Sequence, residues 1–457
     1  MSTTSEQVRV LTPEQKDKEV RRVVGSSFLG SVIEYYDFFV YASAASLVFG
    51  PVFFSNLDPL AGTIASLATF AAGYVARPVG GLIFGHFGDR LGRKKMLVLS
   101  MTGMGVGSFL MGLIPPANAI GSWGAVILVT LRVIQGICVG GEWGGAALMS
   151  LEHAKAKKRG FAASFATAGS SFGTFLGTGA MGVVALLPHD AFLAWGWRLP
   201  FLASAALLVI GLIIRSKVSE SPVFEAAMAA QEAKKKESAP LMEVLRHPKI
   251  LILTTLSCIS LFSMSAMIST FGPTYAVAGG ASSSSVLFGL SISGLFSSAG
   301  VLVFGKLSDT LGRRWLMMAG GIAVALLTYP LFAAIGSGTI ALVFIAFVTL
   351  KVLYSMIYGP MAAFLAEQYP PRSRYTGISL SYQLASLIGA GFTPVILASL
   401  YAASGKDIGP VIWFMMGMCA ISVVAVFLTR ETKDNDIMTG AAVKDFATNR
   451  SAVGPGR

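Results

Sequence analysis

Apolar runs of membrane-crossing length recur along nearly the whole chain and leave little room for any other kind of fold. A bilayer core of about 30 Å requires about 20 apolar residues per helix. Runs that suit this requirement fall at 23–50, 60–84, 96–115, 122–150, 161–187, 198–215, 249–276, 285–305, 315–335, 339–366, 376–402 and 410–429. Twelve such helices take up about 240 residues at that length, and the chain has 457. Glycine and proline inside the runs do not argue against helices, because neighbouring helices satisfy the freed backbone groups. Only 13% of residues are charged, against about a quarter in soluble domains. The expected class is an all-α membrane protein.

The formal charge of +12 is explained by topology. With the N-terminus in the cytoplasm, the inner loops hold Arg90, Arg93, Lys94, Lys95, Lys155, Lys157, Lys158, Arg159, Lys234 to Lys236, Arg313, Arg314, Arg372 and Arg374. The outer loops hold only Lys406. This asymmetry follows the positive-inside rule and excludes nucleic acid as the expected partner. The first 22 residues lack an apolar core, so no cleaved signal peptide is expected. The reading is a multi-pass protein of the inner membrane with both termini cytoplasmic.

A polar stretch at 216–248 splits the spans six and six. The resulting plan is a tail at 1–22, one half at 23–215, a linker at 216–248 with a surface helix expected near 222–236, a second half at 249–430 and a disordered tail at 431–457. The halves repeat one another. GHFGDRLGRK at 85–94 matches GKLSDTLGRR at 305–314, with Gly, Asp, Gly and Arg at identical spacing. Repeated halves place a binding site between them near the midplane.

Charges inside apolar spans are costly and therefore mark function by default. They are Glu34, Asp37, Arg77, Arg132, Glu142 and Lys351, with Arg198 at a helix end. Glu34 and Asp37, three apart, lie on neighbouring parts of one face. Asp37 sits about 22 Å from the inner boundary, and Arg132 about 15 Å from the outer end of its helix. At such depths the two are expected to pair when the site is empty. Burial favours a neutral carboxyl and a nearby guanidinium the charged one, so separating the pair favours protonation. Arg77 and Glu142 lie at equal depth, which suggests an ion pair, unless Arg77 faces the cavity and an anionic solute. Lys351 heads a stripe with Tyr354 and Tyr358, a plausible clamp for a carboxylate bearing hydroxyls or a ring. Gln383 is a weaker polar candidate. Tyr35, Tyr36 and Tyr41 offer cation–π faces to a zwitterion instead.

The glycines Gly136, Gly140 and Gly144, and Gly169, Gly173 and Gly177, recur every fourth residue and form flat packing stripes. No phosphate-binding loop is present. The four histidines lack metal-ligand spacing, and Cys138, Cys258 and Cys419 form no framework. No cofactor is expected, and no nucleophile–base arrangement suggests an enzyme.

The motif at Gly85, Asp89, Arg90, Gly92, Arg93 and Lys94 resembles the loop 2–3 signature of the major facilitator superfamily, and RVIQGICVGGEWGGA at 132–146 resembles its helix 4 motif. ARPVGG at 76–81, GGEWGGA at 140–146, WRLPF at 197–201 and ESPVFE at 220–225 look like the metabolite:proton symporters within it. That family includes carriers of 2-oxoglutarate, citrate, shikimate, and proline or betaine. The resemblance covers about 25–430. It implies the major facilitator fold, twelve helices in two pseudo-symmetric halves, working by alternating access. It implies that Asp37 and Arg132 match the acid and arginine of related sugar–proton carriers. It further implies that Asp89 meets the start of helix 11 and Asp309 the start of helix 5. Arg93 would then pair with Glu152 and Arg313 with Glu367, latching the cytoplasmic side. Helix 5 lacks the Gly-Pro element of drug–proton antiporters, and no long heptad tail follows the last span.

The combined expectation is a monomeric importer of a small organic anion with protons. The alternatives are a carrier of zwitterionic osmolytes and a non-transporting sensor in the same fold.

Overall fold

The computed structural model describes residues 13–91, 93–140, 150–151, 154, 156–216, 240–370 and 373–433. Twelve long helices run through them: α1 (Pro13–Leu47), α2 (Pro59–Leu91), α3 (Arg93–Gly112), α4 (Trp123–Val139), α5 (Arg159–Val184), α6 (Arg198–Ser216), α7 (Pro248–Ala278), α8 (Ser283–Leu311), α9 (Arg313–Gly336), α10 (Ile340–Glu367), α11 (Arg374–Ala403) and α12 (Gly409–Leu428). No strand occurs among the described residues.

Eight of these are long and apolar enough to cross a membrane on length and composition alone. The other four fall short for physical reasons. The apolar parts of α3 and α4 are short, at Val98–Gly112 and Trp123–Val139. The helix α1 carries Glu34 and Asp37 and a charged first stretch, and α5 is diluted by glycine, serine and threonine. The small residues of α5 have a use. An added Cβ at Gly173 would lie 2.7 Å from the Cβ of Tyr35 on α1. One at Gly294 of α8 would lie 2.8 Å from the backbone nitrogen of Phe175. Thus α5 is clamped between α1 of its own half and α8 of the other, and side-chain bulk would push either away.

The same logic brings α2 and α4 together. Gly136 and Gly140 lie so close to the carbonyls of Gly73 and Arg77 that neither has room for a Cβ. Gly144, the third glycine of that stripe, lies outside the described residues. In the second half, α7 and α11 each contain one π-helical turn, at Met267–Phe271 and Leu387–Gly391. Both turns pack on the other half, against α1 and α2 respectively.

The outer surface is apolar, as lipid contact requires. Trp123, Trp315 and Trp413, each within three residues of a helix start or a few beyond, are 69%, 70% and 70% exposed, the position of interfacial anchors. Arg198 lies over Trp197 and donates to the carbonyls of Gly112 and Ile114 at 2.9 and 2.6 Å. It therefore closes the end of α3.

Two stretches depart from the sequence reading. Pro240–Arg246, expected as linker, is a helix that buries Val244 beside α11; the helix expected near 222–236 lies outside the described residues. Residues 431–433, expected as disordered tail, pack on the second half. Glu431 accepts from the backbone N–H of Arg313 and Arg314 at 3.1 and 3.0 Å, capping α9 where its dipole favours an anion.

Candidate functional site

Side chains of α1, α2, α5, α7, α10 and α11 line a pocket on the seam between the halves. The first half contributes Tyr35, Phe38, Phe39, Tyr74, Arg77, Ser170, Ser171 and Thr174. The second contributes Phe262, Ser265, Lys351, Tyr354, Tyr358 and Tyr382. Aromatic walls with a few hydroxyls and two cations suit a small polar solute. The halves touch around this pocket. Tyr35 and Tyr382 share a hydroxyl hydrogen bond at 2.8 Å, as do Ser170 and Tyr358 at 2.8 Å. Thr274 of α7 donates to the carbonyl of Ser46 of α1 at 3.0 Å.

Lys351 is 1% exposed, and no carboxylate pairs with it among the described residues. Its Nζ lies over the rings of Tyr354 and Phe39, 5.0 and 5.3 Å from their centroids. Cation–π contacts offset part of the desolvation cost of a buried ammonium, on the order of 1–2 kcal/mol each, which is well short of the several kcal/mol that burying a lone ion costs. Arg77 lies over Tyr74 at 4.1 Å and Phe38 at 5.5 Å. Its expected partner Glu142 lies outside the described residues.

The acids of α1 occupy a different place. Residues 35, 38 and 39 face the pocket, whereas Ile33, Glu34 and Asp37 turn to a second, smaller cavity walled by Met101, Met104 and Gly105 of α3 and Ser204 and Leu208 of α6. Asp37 accepts a hydrogen bond from Ser204, and Ser108 lies beside it. The direct pair of Asp37 with Arg132 is absent. Arg132 instead lies over Tyr41 and Phe70, at 4.0 and 5.1 Å, with its Nη1 donating to Gln135 Oε1 at 3.2 Å. Gln135 donates from Nε2 to Ser108 Oγ at 2.8 Å. Gln135 and Ser108 thus lie between the guanidinium and the acid. The Nε of Arg132 is buried with no hydrogen-bond partner among the described residues.

Two residues expected as solute contacts, Tyr41 and Gln383, do not line this pocket. Tyr41 donates to Thr69 at 2.5 Å and lies beneath Arg132, away from the pocket. Gln383 donates to the carbonyl of Gly140 at 3.0 Å, tying α11 to the end of α4. It follows Tyr382, which faces the pocket, and one residue turns a helix by about 100°.

At the end of the bundle that the basic loops assign to the cytoplasm, Asp309 accepts from the N–H of Gly160 and Phe161 at 2.8 and 3.0 Å. These lie in the first turn of α5, so the carboxylate also meets the helix dipole. Arg313 bridges Asp309 at 2.7 Å and Glu367 at 3.3 Å, and Thr432 donates to Glu367 at 2.9 Å. The first-half counterparts Gly85, Asp89, Arg90, Gly92 and Arg93, together with Glu152, lie outside the described residues or side chains.

Sequence reasoning missed Ser108, Gln135 and Ser204 around the acid, and Ser170 and Thr174 in the pocket. Serines in apolar helices are common, and nothing in their spacing singles these out. It also missed Glu431, whose partner lies over a hundred residues away in sequence.

A profile described as Major Facilitator Superfamily matches residues 27–387 and 280–448. An "Inner membrane metabolite transport protein YhjE" of Escherichia coli K12 is 38% identical over 91% of this chain and 95% of its own. The "Shikimate transporter" of the same organism is 36% identical over 90% and 95%. A "Proline/betaine transporter" of Salmonella typhimurium is 32% identical over 92% and 85%. The structure of the proton:xylose symporter XylE bound to 6-bromo-6-deoxy-D-glucose superposes with a TM-score of 0.74 at 19% identity, over 94% of this chain and 99% of that one. These likenesses join the twelve-helix fold to the repeated loop motif. The chain is a multi-pass membrane transporter and not an enzyme; it belongs to the major facilitator superfamily, in its metabolite:proton symporter family.

Proposed function

We propose that the chain is a proton-coupled symporter that imports a small organic anion, a hydroxylated or ring-bearing carboxylate, across the inner membrane. Both termini lie in the cytoplasm, and a monomer suffices. The halves at 23–215 and 249–430 rock about the central pocket, joined by the linker at 216–248. The observation that carries the reading is Lys351, a buried cation with aromatic faces but no carboxylate partner among the described residues. A solute carboxylate supplies the missing charge, Arg77 adds a second positive wall, and Tyr354, Tyr358 and the α5 hydroxyls meet the solute's polar edge.

Asp37 is the proton carrier, with Glu34 sharing its cavity and Arg132 setting its charge balance through Gln135 and Ser108. Asp309, Arg313 and Glu367 act as a latch that holds the cytoplasmic side shut, with Asp89, Arg93 and Glu152 as its first-half counterpart. The zwitterion reading is less well supported by the pocket. Tyr41 already lies beneath Arg132, and Tyr36 donates to the carbonyl of Pro200 at 3.0 Å on the far side of α1. Of the three tyrosines considered for a quaternary ammonium, only Tyr35 lines the pocket.

Uptake of radiolabelled shikimate, 2-oxoglutarate, citrate and glycine betaine into vesicles, with and without an inward proton gradient, tests the proposal. Gradient-driven uptake of a carboxylate, lost in Asp37→Asn while solute exchange survives, is expected. Uptake of betaine alone, or accumulation indifferent to the gradient, overturns it.

A further inference from the structure

A symporter must link two events, yet here the solute pocket and the acid lie on opposite faces of α1, in separate cavities. Something must cross that helix. The ring of Phe38 lies 5.5 Å from the guanidinium carbon of Arg77 and 5.5 Å from that of Arg132. Arg77 lines the solute pocket; Arg132 leads through Gln135 and Ser108 towards Asp37. Phe38 is therefore the one ring among the described residues that lies within cation–π reach of both guanidinium groups. It is itself held edge-on by Phe70 and Tyr74, at 5.2 and 6.0 Å between centroids, so the ring cannot easily swing to favour one cation.

We infer that Phe38 is the positioning residue that couples solute binding at Arg77 to proton uptake at Asp37. The inference rests on the symport reading above. An aromatic face attracts cations through its quadrupole, and the attraction is strongest where water is excluded. Two guanidinium groups that share one ring also repel each other through a medium of low polarity. A solute carboxylate draws Arg77 into the pocket and offsets its charge. The face of Phe38 is then left to Arg132, which moves towards the ring and so away from the Gln135–Ser108 bridge. Asp37 loses its positive neighbour and takes up a proton more readily. The charged and titratable groups around Arg132 are Tyr41, Arg77, Tyr74 and Asp37, and those facing Asp37 are Arg132, Tyr36 and, in its own cavity, Glu34. Of these Arg77 lines the solute pocket and carries the positive charge this response needs, while Glu34 acts on the pocket tyrosines Tyr35, Tyr358 and Tyr382. By linkage, a proton on Asp37 strengthens solute binding by the same factor.

The test compares wild type, Phe38→Leu and Phe38→Tyr in proteoliposomes, first with the labelled carboxylate of the panel above that the wild type accumulates. Two rates are read: gradient-driven accumulation, and exchange of labelled against unlabelled solute at equal pH. Phe38→Leu keeps the bulk but not the ring. We expect its accumulation ratio to fall about tenfold, the size of an ordinary coupling energy, and by a clearly larger factor than exchange, which Phe38 also serves as a wall of the pocket. Phe38→Tyr keeps the ring and should retain accumulation. The solute affinity of Phe38→Leu should no longer change between pH 6 and pH 8, where the wild type's does. A purely structural role would lower both rates together, or leave Phe38→Tyr as impaired as Phe38→Leu, and either result overturns the assignment, as does full accumulation by Phe38→Leu. Failure of the wild type itself to accumulate any panel carboxylate overturns the symport reading and takes this inference with it.

Discussion

Two buried cations in the second half, Arg313 and Lys351, are equally hidden at 1% exposure and live in opposite surroundings. Arg313 meets two carboxylates and a serine hydroxyl. Lys351 meets two aromatic rings and, among the described residues, no acid. Burying an ion is tolerable only with compensation. At Arg313 the compensation is built into the chain, so the cluster can hold α8, α9 and α10 and the other half's α5 together. At Lys351 it is incomplete, and an incoming anion completes it. The contrast separates a structural device from a receptive one by what each cation lacks.

The largest effect expected from breaking this contrast is at the pocket. Lys351→Gln should reduce carboxylate binding and uptake by about a hundredfold or more, since losing one partner of a buried charge pair costs roughly 2–5 kcal/mol. Surface expression should remain near wild type. Restoring the charge as Lys351→Arg should recover only part, because a planar fork does not replace a point charge.

At the latch, Asp309→Asn should act on conformation and spare binding. It removes two charge-assisted bonds to α5 and the Arg313 bridge. The expected shift is about tenfold towards the form open to the cytoplasm, read by labelling of cysteines introduced on that side, from a loss of about 1–2 kcal/mol. Glu431→Gln should act in the same direction more weakly, about threefold. It leaves an amide oxygen to cap α9 and removes only the charge facing the helix dipole.

The smallest effects sharpen the boundary of the pocket. Tyr41→Phe and Gln383→Leu should change the solute Kd by less than about twofold, because neither side chain lines the pocket. A tenfold loss in either would mean that Tyr41 or Gln383 meets the solute in another conformation.

What the sequence made legible, and what it did not, follows from the same physics. Hydropathy reveals spans because lipid tolerates little else, so all twelve helices could be read, including α5, whose glycines hide it from a strict apolar criterion. Arg77, Arg132, Asp37 and Lys351 stood out because a charge in an apolar run is rare. Which way each faces did not stand out. Tyr382 and Gln383 are adjacent, yet one lines the pocket and the other ties α11 to α4. Asp37 and Phe38 are adjacent, yet they open into different cavities. Depth along a helix can be counted from its ends; rotation about its axis is set by tertiary packing. For the same reason the expected Asp37–Arg132 pair is replaced by a polar cluster that includes Gln135, Ser108 and Ser204, residues that carry no charge to flag them.

The most direct test of the central claim is equilibrium binding to purified protein, free of transport. Labelled shikimate, 2-oxoglutarate, citrate and glycine betaine would be titrated against wild type and Lys351→Gln in detergent. The account predicts that a carboxylate binds the wild type and is lost from Lys351→Gln, with Asp309→Asn binding it at near wild-type affinity. Carboxylate binding unchanged in Lys351→Gln, or binding of betaine alone, would contradict it.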